Sequence, residues 1–220
     1  MEDLKNFNIK KIIELLSQRR PIFHNERDLQ FEFALLLKEL YNSDVRLEYF
    51  YSLESANDKH NKRNYIDIVL QNSNDCILIE LKYKTKTPKE TIIHNGELFL
   101  LQNHGAQDYG CYSVLSDLSR IEKVKEINGK KVIAYYSVLL TNDLYYLKGF
   151  KQGTLFSNYS LRHNRTIPAN QVLDFCLNNK LKSQTCAAGF TELSFLNEYN
   201  IYWQEYSKHL YYMFLGKSTL

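Results

Sequence analysis

The stretch CILIELKYKTK, Cys76–Lys86, sets a glutamate and a row of lysines into an otherwise apolar run. Side chains along a strand alternate between faces with a period of two. On that period Ile77, Ile79, Leu81 and Tyr83 form one apolar face, while Leu78, Glu80, Lys82, Lys84 and Lys86 form the other. A half-buried strand with its charged face in water has this pattern, and so has a strand that carries half of an active site. The neighbouring segments bear on the choice.

Just upstream, VRLEYFYS (45–52) and NYIDIVLQ (64–71) read as strands joined by the polar turn ANDKHNKR, and NSND links the second to the opening stretch. Three strands with short polar connections make an antiparallel meander. Before them, two amphipathic helices are expected at 3–18 and 26–41, separated by RRPIFHN, with Leu29, Phe33, Leu36, Leu37 and Leu40 forming the stripe of the second. After them, a helix is expected over 104–126, ended by the Asn128-Gly129 turn signal, then strands at KVIAYYSVLL and LYYLKG around a turn at 141–143. Beyond Gly149 the pattern weakens to a short helix near 170–179 and strands at 199–206 and 211–215. The fold class this order implies is α/β, with a mixed sheet flanked by helices. The boundaries expected are a core of residues 1–150 and a small C-terminal α+β extension of residues 151–220 packed on it.

The bulk numbers agree with a folded globular chain. Of 220 residues 44% are hydrophobic, with only 3 Pro and 8 Gly, so neither a linker nor a fibre is in view. No run approaches the roughly 18 apolar residues that cross a bilayer, and the N-terminus lacks a signal-peptide layout. The four cysteines, Cys76, Cys111, Cys176 and Cys186, are scattered without a CxxC pair, which argues against a zinc ribbon or an iron–sulfur cluster. Reduced thiols and a cytoplasmic setting are the expectation. The net charge of +3 does not establish a nucleic-acid partner. Basic clusters at 60–63, 82–89 and 123–131 each read, taken alone, more readily as a solvated face than as a binding site.

The chemistry-bearing pattern spans two strands. Asp67 interrupts YIDIVL as Glu80 and Lys82 interrupt ILIELK, and twelve residues lie between the two acids. That gap fits the end of one strand, a tight turn and the return, which sets Asp67 beside Glu80. Adjacent carboxylates repel unless a cation offsets them, and oxygen ligands of this kind suit Mg²⁺, for which Mn²⁺ substitutes. Lys82 is the one evident neutraliser, and a lysine there can orient an attacking water or offset charge on a phosphate. At 100° per residue, Glu26 lies about 36° from the centre of the helix stripe and Glu32 about 84° away. Glu26 is thus the better placed to face the sheet, although a first-turn glutamate favoured by the helix dipole has the same position.

Glu26 in ERDL, Asp67 in YID and Glu80-x-Lys82 in IELK resemble the PD-(D/E)XK nuclease superfamily, the restriction-endonuclease-like fold, and ERDL before a strand aspartate and an ExK strand is similar to archaeal Holliday-junction resolvases. Ile66 stands where that family places a proline. The resemblance covers about residues 26–140. It implies a three-layer core and Mg²⁺-dependent phosphodiester hydrolysis in DNA, centred on Glu26, Asp67, Glu80 and Lys82 with Asp67, Glu80 and Glu26 at the metal. Gln107 is similar to the glutamine of recombination exonucleases in the same superfamily, which would help hold the site; a hydrogen-bonding residue at a helix start is the alternative. Lys84 and Lys86, further along the Lys82 face, would meet the nucleic-acid backbone. The expected partner is DNA, duplex or branched, with RNA left open, no membrane, and a homodimer compatible.

Rival chemistries have less behind them. The six histidines show no HExxH or H-x-H spacing, Cys111 has no defined histidine partner, and no glycine-rich phosphate loop exists. Tyr135-Tyr136 and Tyr145-Tyr146 read more readily as sheet packing than as base-stacking groups. The alternatives from other classes are a protein of the same fold that binds nucleic acid or a partner without cleaving, and a structural protein whose Glu80 and Lys82 pair across the sheet.

Overall fold

The computed structural model of the protein describes residues 2–51, 64–175 and 190–218. A single 3-10 turn at Leu4–Asn6 precedes α1 (Ile9–Arg19) and α2 (Glu26–Leu40). Next come β1 (Asp44–Tyr51), β2 (Asn64–Gln71), β3 (Asp75–Lys84) and the small hairpin of β4 (Ile92–His94) and β5 (Glu97–Phe99). Then follow α3 (Gln107–Ile121), β6 (Glu126–Ile127), β7 (Lys130–Thr141) and the one-turn α4 (Tyr145–Lys148). The remainder is β8 (Arg165–Ile167), β9 (Val172–Leu173), β10 (Leu193–Ser194), β11 (Tyr199–Ile201), β12 (Gln204–Ser207) and β13 (Leu210–Ser218).

The central sheet has seven strands in the order β1-β2-β3-β7-β13-β12, with β6 on β7. Only β3 and β7 run parallel; β1, β2 and β3 form the expected antiparallel meander. A parallel pair needs a crossover, and α3 supplies it. The two faces carry separate cores. Ile77, Ile79, Leu81 and Tyr83 pack with α1 and α2, whereas Cys76 and Leu78 pack with α3. The period-two reading of Cys76–Lys86 thus sorts β3 correctly, and the chain is α/β with helices on both faces of a mixed sheet.

Local chemistry sets the element ends. Asn8 accepts from the Lys11 N–H at 3.1 Å and so starts α1 afresh, which divides the helix expected over 3–18. Asn25 caps α2 through the Asp28 N–H at 3.0 Å. Asn128 (φ 48°) and Gly129 (φ 76°) form the tight β6–β7 turn. The helix expected over 104–126 is shorter at both ends, beginning after Ala106 in the left-handed region (φ 55°) and ending at Ile121, with Glu122 as its cap.

Three expectations are corrected. LYYLKG forms α4 rather than a strand: the Asp143 carboxylate accepts from the Tyr145 N–H at 3.0 Å, and Gly149 (φ 76°) closes the turn. The helix near 170–179 gives way to β9, because Asn170 is left-handed (φ 61°) and Val172 and Leu173 pair with β10; residues 176–179 lie outside the described residues. The strand expected over 199–206 is broken at Trp203, whose backbone and indole N–H groups donate to His163 Nδ1 and Leu161 O. β12 and β13 enter the central sheet, β13 pairing along β7 from Tyr211↔Thr141 to Ser218↔Ala134. No helix among the described residues is long and apolar enough to cross a membrane. The turn 56–63, its basic cluster at 60–63, Cys176 and Cys186 lie outside the described residues.

Candidate functional site

The site begins where the sheet comes apart. β2 pairs with β3 from Gln71↔Cys76 to Ile68↔Ile79 and no further. At that point both β2 and β1 change faces: Leu70 and Ile68 pack under α1 and α2, but Ile66 packs under α3, and Val45 differs from Tyr49 in the same way. The switch falls at Asp67 and Glu48, between the pairs Leu47↔Ile68 and Tyr49↔Ile66. Glu48 is left-handed (φ 47°), a conformation that costs a non-glycine residue about 1–3 kcal/mol and needs support. Gln30 of α2 supplies it, donating to Glu48 Oε1 at 3.0 Å and to the Asp67 carbonyl at 2.8 Å.

Beyond the switch, carboxylates take over from β2. Asp67 Oδ2 accepts from the Leu81 N–H at 2.7 Å, and Glu26 Oε2 accepts from the Tyr83 N–H at 2.8 Å. These are β3 donors that a neighbouring strand would otherwise use. The first turn of α2, the kink of β2 and the second half of β3 thereby meet at one place. Glu26 is the helix glutamate found there; Glu32 instead lies 3.8 Å from Arg19 of α1.

On the α3 side of β3 the acids acquire cations. Glu80, only 2% exposed, accepts from Arg120 Nη2 at 2.6 Å, and Lys82 Nζ lies 2.8 Å from Asp117 Oδ2. Asp117 and Arg120 are themselves 3.2 Å apart, one helical turn along α3. Arg120 also donates to the Tyr51 hydroxyl and the Tyr65 carbonyl at 2.9 and 3.1 Å. The expectation that Lys82 alone neutralises Asp67 and Glu80 is therefore corrected: Arg120 holds Glu80, and Asp117 holds Lys82. Sequence reasoning missed Asp117, Arg120, Gln30 and Glu48. One signal was available: on a helical wheel Asp117 sits about 60° from Val114, at the rim of the stripe that α3 turns to the sheet.

Electrostatics follow from this crowding. Burial, then the Asp117 and Asp67 carboxylates, push the Glu80 pKa well above its ordinary value, and Arg120 and Lys82 offset this only in part. Burial also raises Asp67; Lys82 and the Leu81 N–H oppose the rise, while Asp117 and Glu26 add to it. Burial disfavours the Lys82 ammonium, but Asp117, Asp67 and Glu80 outweigh it and hold its pKa above the usual lysine value. Among the described residues, Glu26, Asp67, Glu80 and Asp117 are opposed by Lys82 and Arg120, a formal excess of two negative charges.

The other sequence candidates lie elsewhere. Gln107 starts α3 and donates to Asp143 at 2.9 Å, ten residues and about 15 Å of helix rise from Asp117. It is not drawn into the cluster. Lys84 is half-buried on the Lys82 face, and Lys86 is exposed beyond the end of β3, where its backbone is fixed by Asn142. Tyr135, Tyr136 and Tyr146 are buried, as packing residues are, whereas Tyr145 is exposed on α4. Burial pushes the Cys76 thiol up to about 11 and raises Cys111 as well, which suits neither to nucleophilic chemistry.

Among the described residues no three Asp, Glu, His or Cys side chains converge as a ready-made metal cage. Mg²⁺, however, commonly takes one or two carboxylates and fills its remaining positions with water and phosphate oxygens. Asp67 Oδ1, Glu80 Oε2 and Glu26 Oε1 have no partner among the described residues, and the excess negative charge equals that of one divalent cation. The donor set fits such an ion. Compared with protein-family models, curated proteins and solved structures, the chain matches none.

Proposed function

We propose that the protein is a Mg²⁺-dependent nuclease of PD-(D/E)XK type that hydrolyses phosphodiester bonds in DNA. One observation carries the reading: Glu26, Asp67, Glu80 and Lys82, distant in sequence, meet where β2 leaves β3. Asp67 and Glu80 are the residues that would hold the metal, which supplies a Lewis acid and an acidified water when bound. Glu26 keeps the end of β3 in place through Tyr83 and brings a third carboxylate to the rim. Lys82 keeps its proton and presents a positive charge to the phosphate; Asp117 sets its position. Lys84 and Lys86 continue the face towards the backbone of the nucleic acid. Restriction, defence and repair are the settings such an activity serves, and a cytoplasmic one accords with the free buried thiols Cys76 and Cys111.

A second reading has its own support. The Glu80–Arg120 and Lys82–Asp117 pairs neutralise two of the four key groups within the protein, as a fold that binds nucleic acid or a partner without cutting would. Incubation with duplex and branched DNA in Mg²⁺, Mn²⁺, Ca²⁺ and EDTA separates the two. Cleavage in Mg²⁺ or Mn²⁺ that stops with EDTA is expected. Binding without cleavage in every divalent ion selects the second reading, and robust cleavage in excess chelator overturns the metal chemistry.

A further inference from the structure

A pocket of about 400 Å³ opens on the segment after α4, among Gln152, Ser157, Asn158, Ser160, Arg162 and Arg165. Two arginines line it and no acid does. Among the described residues neither arginine has a carboxylate partner. Arg165 is half-buried, and its terminal nitrogens donate to the carbonyls of Ser160 and Asn158, which fastens the 3-10 turn Ser157–Tyr159. A guanidinium has five N–H donors, so three of Arg165's remain without an acceptor among the described residues. Burial first, and then Arg162, hold the Arg165 pKa below its ordinary value. Cations gathered without an anion behave in that way.

Two further observations concern the same walls. The Ser157 hydroxyl is buried without a hydrogen-bond partner, although buried polar groups are nearly always satisfied. Gly149 (φ 76°) lies against Ser160 and Arg162 so closely that a Cβ would collide with both side chains.

We propose that this pocket binds a phosphate dianion, either inorganic phosphate or the terminal phosphomonoester of a nucleotide or nucleic-acid end. Paired guanidinium N–H groups match phosphate oxygens in geometry and charge, and the Gln152 amide adds a neutral donor. A monoester carries about 1.5 to 2 negative charges near neutral pH, which two unopposed arginines suit better than the single charge of a diester inside a chain.

The test is calorimetric titration of the full chain with inorganic phosphate at constant ionic strength, beside titrations with a 5′-phosphorylated and an unphosphorylated dinucleotide. Arg162 is exposed and its guanidinium is bonded to no described group, so Arg162→Gln isolates binding; Arg165 also supports the fold and is left intact. Saturable phosphate binding is expected, weakened at least tenfold by Arg162→Gln. Tighter binding of the phosphorylated dinucleotide assigns the pocket to a chain end. Phosphate binding with refusal of both dinucleotides assigns it to a free anion. The proposal fails if the wild type binds no phosphate, if Arg162→Gln binds it as well as the wild type, or if only Lys82→Ala loses it.

Discussion

Two glutamates are buried beside α3, and they are held in opposite ways. Glu122, fully buried at the helix end, accepts from the Leu196 N–H and the Tyr199 hydroxyl, both at 2.9 Å, and from the Asn197 amide at 3.4 Å. Tyr199 and Asn197 in turn bond the Tyr135 hydroxyl of β7. Neutral dipoles thus satisfy both oxygens and tie the late segment to the sheet. Glu80 has one oxygen on Arg120, while the Asp67 and Asp117 carboxylates press on its charge. A carboxylate surrounded by neutral donors is a clamp. A carboxylate crowded by other charges is poised to respond to a proton, a cation or a phosphate.

The largest test of this contrast is catalytic. Lys82→Ala and Glu80→Gln are each expected to lower DNA cleavage about 10²–10³-fold or more, while Glu122→Gln leaves the rate per folded molecule unchanged. Single-turnover cleavage at saturating DNA measures it, with circular dichroism to confirm folding. Equal losses in Glu80→Gln and Glu122→Gln would erase the distinction.

Next in size is stability. Glu122→Leu strips the partner from the buried Tyr199 hydroxyl and from the part-buried Leu196 N–H and Asn197 amide, and is expected to cost about 2–4 kcal/mol in denaturant unfolding. Lys82→Ala and Glu80→Gln leave fewer neutral donors stranded and are expected to cost less. If Glu122→Leu proves neutral, the clamp is not one.

A smaller effect concerns pH. The folded-state pKa values of Glu80 and Asp67 are raised by burial and by neighbouring acids. Between the ordinary carboxylate range and those raised values, the folded chain holds protons that the unfolded chain has released. Stability therefore falls as pH rises through that window, by at most about 1.4 kcal/mol per pH unit for each proton. Glu80→Gln should flatten the fall. Added Mg²⁺ should raise the wild-type melting temperature most above the window, where both acids are ionised. A flat wild-type profile would contradict the crowding described for Glu80.

The smallest effect is that of the lysine row. Neutralising Lys84 or Lys86 should change the slope of log affinity against log salt by roughly 0.7–0.9 for each phosphate that the lysine had neutralised. The change should be similar for unrelated DNA sequences, because groups that meet phosphates position a duplex without reading it. Titrations in Ca²⁺ at several salt concentrations measure it. An unchanged slope in the Lys84→Ala, Lys86→Ala double variant would leave that face merely solvated.

Much of this was legible in the sequence, because strands and turns obey local rules. The alternation through Cys76–Lys86 assigned Ile77, Ile79, Leu81 and Tyr83 to one core and set Glu80 and Lys82 on the opposite face. Asn128-Gly129 announced its turn, and the α2 stripe favoured Glu26 over Glu32 for the sheet. What the sequence did not disclose depends on distance through space. Nothing local to ILIELK says that Arg120 and Asp117, about forty residues on, will meet Glu80 and Lys82. That depends on how the crossover helix lies over the strand. Nor does any local pattern show β2 and β1 changing faces at Asp67 and Glu48, since Gln30 on another element supports the kink. The residue types that can do chemistry were set along the chain; which of them neutralise one another was decided by packing, because charges interact by proximity and not by sequence order.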